Sequence, residues 1–304
     1  MIYEDVRKNI GNTPLIRLKN IEREFHLDFE VYGKLERSNP SGSIKDRAAL
    51  FIIEDGLQKG LIDANTTIVE ATSGNTGISI SMIAASLGLK CKIFMPSSAS
   101  KERRLMMQAF GSEVVLVNEG GMKRCVELAE KETEQNKVFL VHQFENEANI
   151  RAHYEGTSKE IIKDLGKCPD YFVAGFGTSG TLIGNAKRFK NEGSTKIIDV
   201  EPLASPLINK GFAGPHKIQG IGANFIPELF KKEYVDEIVD VSDQDAYEFT
   251  NVLAKREGLF VGISSGAAVA GVVRNKDKFV KGTKVVVILP DNGERYLSVE
   301  GLYE

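Results

Sequence analysis

The chain has 304 residues, 42% hydrophobic and 27% charged, with 39 basic against 42 acidic side chains. That is ordinary globular composition, long enough for two lobes or one large α/β unit. It has no basic block and no apolar run near the roughly 18 residues that span a bilayer, so neither nucleic acid nor membrane is an expected partner. Cys91, Cys125 and Cys168 stand far apart and read as free thiols of a reducing compartment, so the cytoplasm is the expected location. The start, MIYEDVRKNIG, lacks the apolar core of a signal peptide. His26, His142, His153 and His216 show no metal-ligand spacing, so no metal site is expected.

In chain order, TTIVEA reads as a strand and ISISMIAASLGL as a helix. CKIFM is a strand ending at Pro96, and KERRLMMQAFG a helix stopped by Gly111. EVVLV is a strand, MKRCVELAEKETEQ a helix and VFLVH a strand. Further on, YFVAG, TKIIDVE and KVVVILP are short apolar strands among helical segments. Such alternation implies crossovers and parallel sheets. The expected fold is therefore α/β with two lobes, each a mostly parallel sheet flanked by helices. Residues 38–143 form the smaller lobe, and 1–37 plus 144–304 the larger. The Gly/Pro-rich stretch from Glu201 to Glu228 reads as loops on one face.

Five places carry chemistry. TSGNTG, Thr72 to Gly77, joins a strand to a helix with hydroxyls, an amide and free backbone N–H groups. A small anion fits there, and so does a plain capped turn. GFGTSGT, Gly175 to Thr181, satisfies G-x-G-x-x-G, and Glu201 follows about 20 residues on, as in a dinucleotide site. Thr178, Ser179 and Thr181 add hydroxyls that suit a phosphate monoester better than a pyrophosphate, but the loop alone leaves both open. Ser43 and Asp46 have the form of a capping box, which puts Lys45 in a first helical turn, where the dipole favours the neutral amine. Such an amine can condense with an aldehyde, although most lysines are merely solvated charges. In GISSGAAVAG, Ser264 and Ser265 sit between the strand-like LFV and a small-residue helix. LPDNGERYLS follows the last buried strand, where α/β sites form.

IGNTPLIRL, NPSGSIKDR, EATSGNTGIS, HQFENEAN, GFGTSGTLIG, IQGIGANFIP, GISSGAA and PDNGERYLS run in order nearly end to end. Together they resemble the fold-type-II pyridoxal-phosphate enzymes, in the branch of the cysteine synthases (O-acetylserine sulfhydrylases) and cystathionine β-synthases. The resemblance implies pyridoxal 5'-phosphate bound covalently to Lys45, which would also move the substrate's α-proton. It implies that Gly177, Thr178, Ser179, Gly180 and Thr181 hold the phosphate, Asn75 meets the ring's 3'-oxygen and Ser264 faces the ring nitrogen. It implies a carboxylate clamp of Thr72, Ser73, Asn75, Thr76 and Gln143, with Gly222 beside the substrate. The implied reaction is β-replacement through α-aminoacrylate, giving L-cysteine from O-acetyl-L-serine and sulfide. A related β-replacement on cysteine or serine derivatives, forming lanthionine or cystathionine and releasing hydrogen sulfide, is the alternative. Relatives are commonly homodimers, and some bind the C-terminal tail of serine acetyltransferase. Ala71 stands where relatives often have Pro, and Asn224 where many have a small residue, which leaves the thiol acceptor open. With nothing after LSVEGLYE, no regulatory domain is expected.

Overall fold

The computed structural model describes residues 2–134 and 137–304. Its strands are β1 (Leu15–Arg17), β2 (Glu30–Leu35), β3 (Thr67–Ala71), β4 (Lys90–Pro96), β5 (Glu113–Val117), β6 (Val138–Leu140), β7 (Tyr171–Gly175), β8 (Lys196–Pro202), β9 (Glu237–Val241) and β10 (Lys284–Leu289). Its α-helices are α1 (Lys19–Glu24), α2 (Lys45–Gln58), α3 (Asn75–Leu87), α4 (Lys101–Ala109), α5 (Gly121–Glu132), α6 (Glu147–Ala152), α7 (Ser158–Leu165), α8 (Gly180–Glu192), α9 (Leu207–Lys210), α10 (Asp243–Glu257) and α11 (Ile263–Arg274).

The strands form two sheets. One runs β5-β4-β3-β6 and is parallel throughout. The other runs β1-β2-β10-β7-β8-β9, parallel except where β1 pairs with β2. Helices cover both faces, which is why the central strands read as unbroken apolar runs. β10 shows the consequence. Val285, Val287 and Leu289 pack with α11, while Val286 and Ile288 pack with Phe172, Leu182 and Phe189 on the opposite face. The α11 helix is buried from Ile263 to Val273. A Cβ at Gly266 would lie 2.2 Å from the Ala246 carbonyl of α10, so the small residue lets the two helices touch.

Several local expectations change. Residues 259–261 form no strand, because Val261 makes only an isolated bridge to Asn292. The helix read as 122–135 ends at Glu132 (residue 135 lies outside the described residues). Ser43 is not the N-cap of α2. Ile44 is, and Asp46 reaches back to the Ser41 N–H at 2.7 Å instead of closing a box with Ser43. Asp46 also accepts from the Ser41 hydroxyl and, at 2.5 Å, from Ser79, which ties α2 to α3. The carboxylate of Glu201 turns to the N–H groups of Ile208 and Asn209 at the start of α9, away from any nucleotide-type role.

Candidate active site

The C-terminal ends of β3, β7 and β10 and the N-termini of α2, α3, α8 and α11 meet at a cleft of about 650 Å³ and a recess at its floor. In parallel sheets this edge presents free N–H groups and helix N-termini to a ligand.

The turn from β7 into α8 forms the recess wall. Ser179 holds φ +71°, the left-handed conformation, and its buried hydroxyl has no partner. A buried hydroxyl without a partner costs stability, so it marks a place kept for an acceptor. The loop admits little side chain. A Cβ at Gly177 would come within 2.6 Å of the Gly220 carbonyl, and one at Gly180 within 2.0 Å of Asn149 Oδ1. Asn149 in turn donates 2.9 Å to Thr178 Oγ1 and 2.9 Å to the Gln143 carbonyl. Thr181 Oγ1 lies 3.2 Å from His153 Nε2. Burial first, then the charges of Arg47 and Lys45, push the His153 imidazolium well below its ordinary range, so the ring is neutral. A tight loop of N–H groups and hydroxyls at a helix start fits a phosphate monoester.

Lys45 opens α2 and lines both recess and cleft. Burial lowers its pKa and the Asp291 carboxylate opposes the shift, with burial dominant. A more readily neutral amine follows, though burial now supplies the cause that the helix dipole supplied in the sequence argument. Asn75, at the start of α3, is held from both sides. Its Nδ2 donates to Asp291 Oδ2 at 2.7 Å and its Oδ1 accepts from Arg295 at 2.7 Å. Tyr296 also donates to Asp291 Oδ2 at 2.7 Å. Ser264 lines the recess, whereas the Ser265 hydroxyl is buried away from it.

Thr72, Ser73, Asn75, Thr76 and Gln143 line one wall of the cleft together. Thr76 Oγ1 donates to Gln143 Oε1 at 2.6 Å, which joins the β3–α3 turn to the segment after β6. Beneath them lies Glu70, whose carboxylate accepts from the Ala71 N–H at 2.8 Å and the Gln143 N–H at 3.3 Å. Burial raises it, these N–H groups restrain it, and it stands at about 7.

Not every predicted residue reaches the cleft. Gly222 does not line it. Its N–H bonds to the Phe176 carbonyl, its φ is +69°, and Gly220 and Ile221 occupy the wall instead. Gly180 lies behind the recess against Asn149. Asn224 is not on the wall either, but its neighbour Phe225 meets the cleft residue Phe144 edge-on, centroids 5.0 Å apart. Conversely, Asp291, Arg295, Tyr296 and Asn149 belong to the site without an assigned role in the sequence reading. Asp291, Arg295 and Tyr296 fall in LPDNGERYLS and Asn149 in HQFENEAN, segments whose positions gave the only available signal.

Residues 6–291 match the family described as pyridoxal-phosphate dependent enzyme, and the chain belongs to it. Pyridoxal phosphate is therefore its cofactor, and the lysine, phosphate loop and recess fit that group. Within the family, this chain is 48% identical to cysteine synthase B of Campylobacter jejuni, over 98% of each sequence. It superposes with a TM-score of 0.95 on the crystal structure of cysteine synthase from Entamoeba histolytica, at 38% identity, covering 99% of this chain and 90% of that one. A hydrogen sulfide-producing enzyme from Fusobacterium nucleatum gives a TM-score of 0.92 at 44% identity, covering 97% of this chain and all 100% of that one.

Proposed function

We propose that this chain makes L-cysteine from O-acetyl-L-serine and sulfide by β-replacement. One observation carries the choice of acceptor. The cleft wall offers a carboxylate clamp for one amino acid, yet no aspartate or glutamate among its described residues to meet the ammonium of a second. A charge-assisted hydrogen bond is about twice as strong as a neutral one, so the ammonium of an amino-acid acceptor lacks its best partner, and sulfide carries no such group. The names of the two cysteine synthases agree with this reading, while that of the hydrogen sulfide-producing enzyme matches the alternative.

In it, the loop 177–181 holds the cofactor phosphate, Asn75 the ring's 3'-oxygen, and Ser264 the ring nitrogen. Bound there, pyridoxal phosphate supplies an electron sink for the pair left at the substrate's Cα. Thr72, Ser73, Thr76 and Gln143 fix the substrate carboxylate, and Lys45 Nζ moves the α-proton. General base action of this kind is worth about 10²–10⁴ in rate. The Cβ–O bond breaks with its pair on acetate, the S–Cβ bond forms from a sulfide lone pair, and Lys45 returns the α-proton. Ser264 offers a hydroxyl where a carboxylate would hold the ring proton more firmly, which favours β-departure over a long-lived carbanion. The same reading puts the enzyme in the cytoplasm as a homodimer, with residues 38–143 as the smaller lobe. It makes the carboxylate clamp the seat of a serine acetyltransferase C-terminus. The resemblance supports these points, and the three free cysteines support the compartment.

Product identification tests the proposal. With O-acetylserine and sulfide, mass spectrometry should find cysteine and acetate, at a kcat/KM above that for cysteine alone or cysteine plus homocysteine. Borohydride should fix the cofactor on the Lys45 peptide. Lanthionine or cystathionine formed with sulfide release faster than cysteine is made would replace this reading with the alternative.

A further inference from the structure

The cleft wall carries three basic side chains other than histidine, Lys45, Arg103 and Arg295. Two have tasks. Lys45 serves the chemistry, and Arg295 donates to Asn75 Oδ1 and the Ser41 carbonyl, holding the two helix starts together. Arg103 has no such task. It rises from the first turn of α4 and is 8% exposed, yet its hydrogen-bond partners are all neutral, and the neighbouring Glu102 carboxylate, which accepts from Ser100, acts on it through space. Nη2 donates to Gln219 Oε1 at 3.0 Å, Nη1 meets the Ser73 carbonyl at 3.4 Å, and the guanidinium lies 5.5 Å from the Tyr296 ring. Its Nε is buried without an acceptor. A guanidinium held this deep is ordinarily paired with an anion. This one instead spans the cleft mouth, from the carboxylate loop at Ser73 to the facing loop at Gln219.

We infer that Arg103 determines acceptor specificity, receiving the acceptor as an anion, a hydrosulfide or small thiolate, beside the donor's β-carbon. This rests on the β-replacement reading above. The donor brings its own carboxylate to the Thr72–Thr76 clamp, so a second positive site in the same cleft serves the second anion. Asp291 in the recess is held by Asn75 and Tyr296 and Glu102 by Ser100, so a cation on a cleft wall that itself carries no carboxylate also raises the local concentration of anions, and salt weakens that effect. The sulfur then arrives already ionised, and no base is needed to deprotonate it.

The test compares wild-type holoenzyme with Arg103→Gln, Arg103→Lys and Gln219→Glu. The last leaves the guanidinium in place but pairs it. Acetate release from O-acetylserine alone reports the donor step and should change less than about threefold, since its carboxylate contacts stay intact. The kcat/KM for sulfide should fall about tenfold or more in Arg103→Gln and Gln219→Glu, as for the loss of one charge-assisted contact. It should largely survive in Arg103→Lys. Added salt should slow the sulfide step in the wild type and leave it unchanged in Arg103→Gln. Calorimetric titration of the four holoenzymes with sodium thiocyanate supplies a readout free of turnover. Wild type and Arg103→Lys should bind this anion at least fivefold more tightly than the other two. Equal thiocyanate binding in all four, or donor and sulfide steps that fall together, would overturn the role of Arg103. A wild type that makes no cysteine would sink the proposed reaction instead, while thiocyanate still judges the anion site.

Discussion

Glu70 sits two residues before Thr72, the first hydroxyl of the proposed carboxylate clamp, and its titration is measurable. Its pKa stands at about 7 in the fold, against 4.5 for an ordinary glutamate, because burial penalises the anion. Between those values the folded state binds more protons than the unfolded chain, so stability falls as pH rises and levels off above about 7. The loss is on the order of 3 kcal/mol across the window. Glu70→Gln removes it. We expect the variant to gain stability relative to wild type as the pH goes from 5 to 8, measured by urea unfolding at each pH. A pH-independent difference would mean that Glu70 titrates in the fold as it does in the unfolded chain. The same residue shows what sequence could not reveal. Nothing in VEATSG distinguishes a buried glutamate from a solvated one, because burial comes from the strands and helix that cover β3.

At the scale of elements, α2 matters most, because it delivers Lys45. It is anchored by Arg47, which donates to Glu36 at 2.7 and 2.9 Å and to Glu160 of α7 at 2.7 Å twice. Burial alone would raise Glu160, but Arg47 and Lys34 outweigh it and hold the carboxyl at about 2. Glu36 is fully buried, so Arg47→Met strands it and should cost about 3–5 kcal/mol near neutral pH. The sign with pH follows from the lowered value. The stabilisation by Glu160 is complete above about 4.5 and disappears as pH falls toward 2, so the gap between wild type and variant should narrow over that range. Chemical denaturation at pH 7, 4 and 2.5 measures it, and a constant gap would count against the assignment. The elements themselves were largely readable, since β3, β4, β5, β7, β8 and β10 follow apolar runs that a doubly covered parallel sheet requires. LFV failed because three apolar residues can be buried by loop packing around a single bridge without any ladder.

At the scale of the molecule, the recess proposed for the cofactor draws its walls from both sheets' connections. Lys45, Asn75 and Ser264 come from the α2, α3 and α11 starts, and Ser179 and Asp291 from turns around the larger sheet. A ligand held by both sides stabilises the arrangement by mass action, by about 2.7 kcal/mol at a hundredfold excess over its dissociation constant. Removing pyridoxal phosphate should lower Tm, and restoring it should raise Tm with concentration. Lys45→Ala, which keeps the phosphate loop but loses the covalent attachment, should show a smaller rise in differential scanning calorimetry. An apo protein as stable as the holoenzyme would show that the recess does not bridge the two sides.

The sequence by itself determined the two-sheet α/β class, the cofactor family and the segments that build the site. Apolar runs of strand length alternating with helices admit few topologies, and eight ordered motifs carry local turn chemistry that survives in any context. Only the tertiary structure decided which side chains face the cleft. It turned Gly222 aside, set Asp291 between Asn75 and Tyr296, and left Arg103 hydrogen-bonded to neutral groups alone. Those outcomes depend on contacts between residues up to 216 positions apart, as for Asn75 and Asp291. No local pattern encodes the burial and charge that such distant neighbours impose on one another.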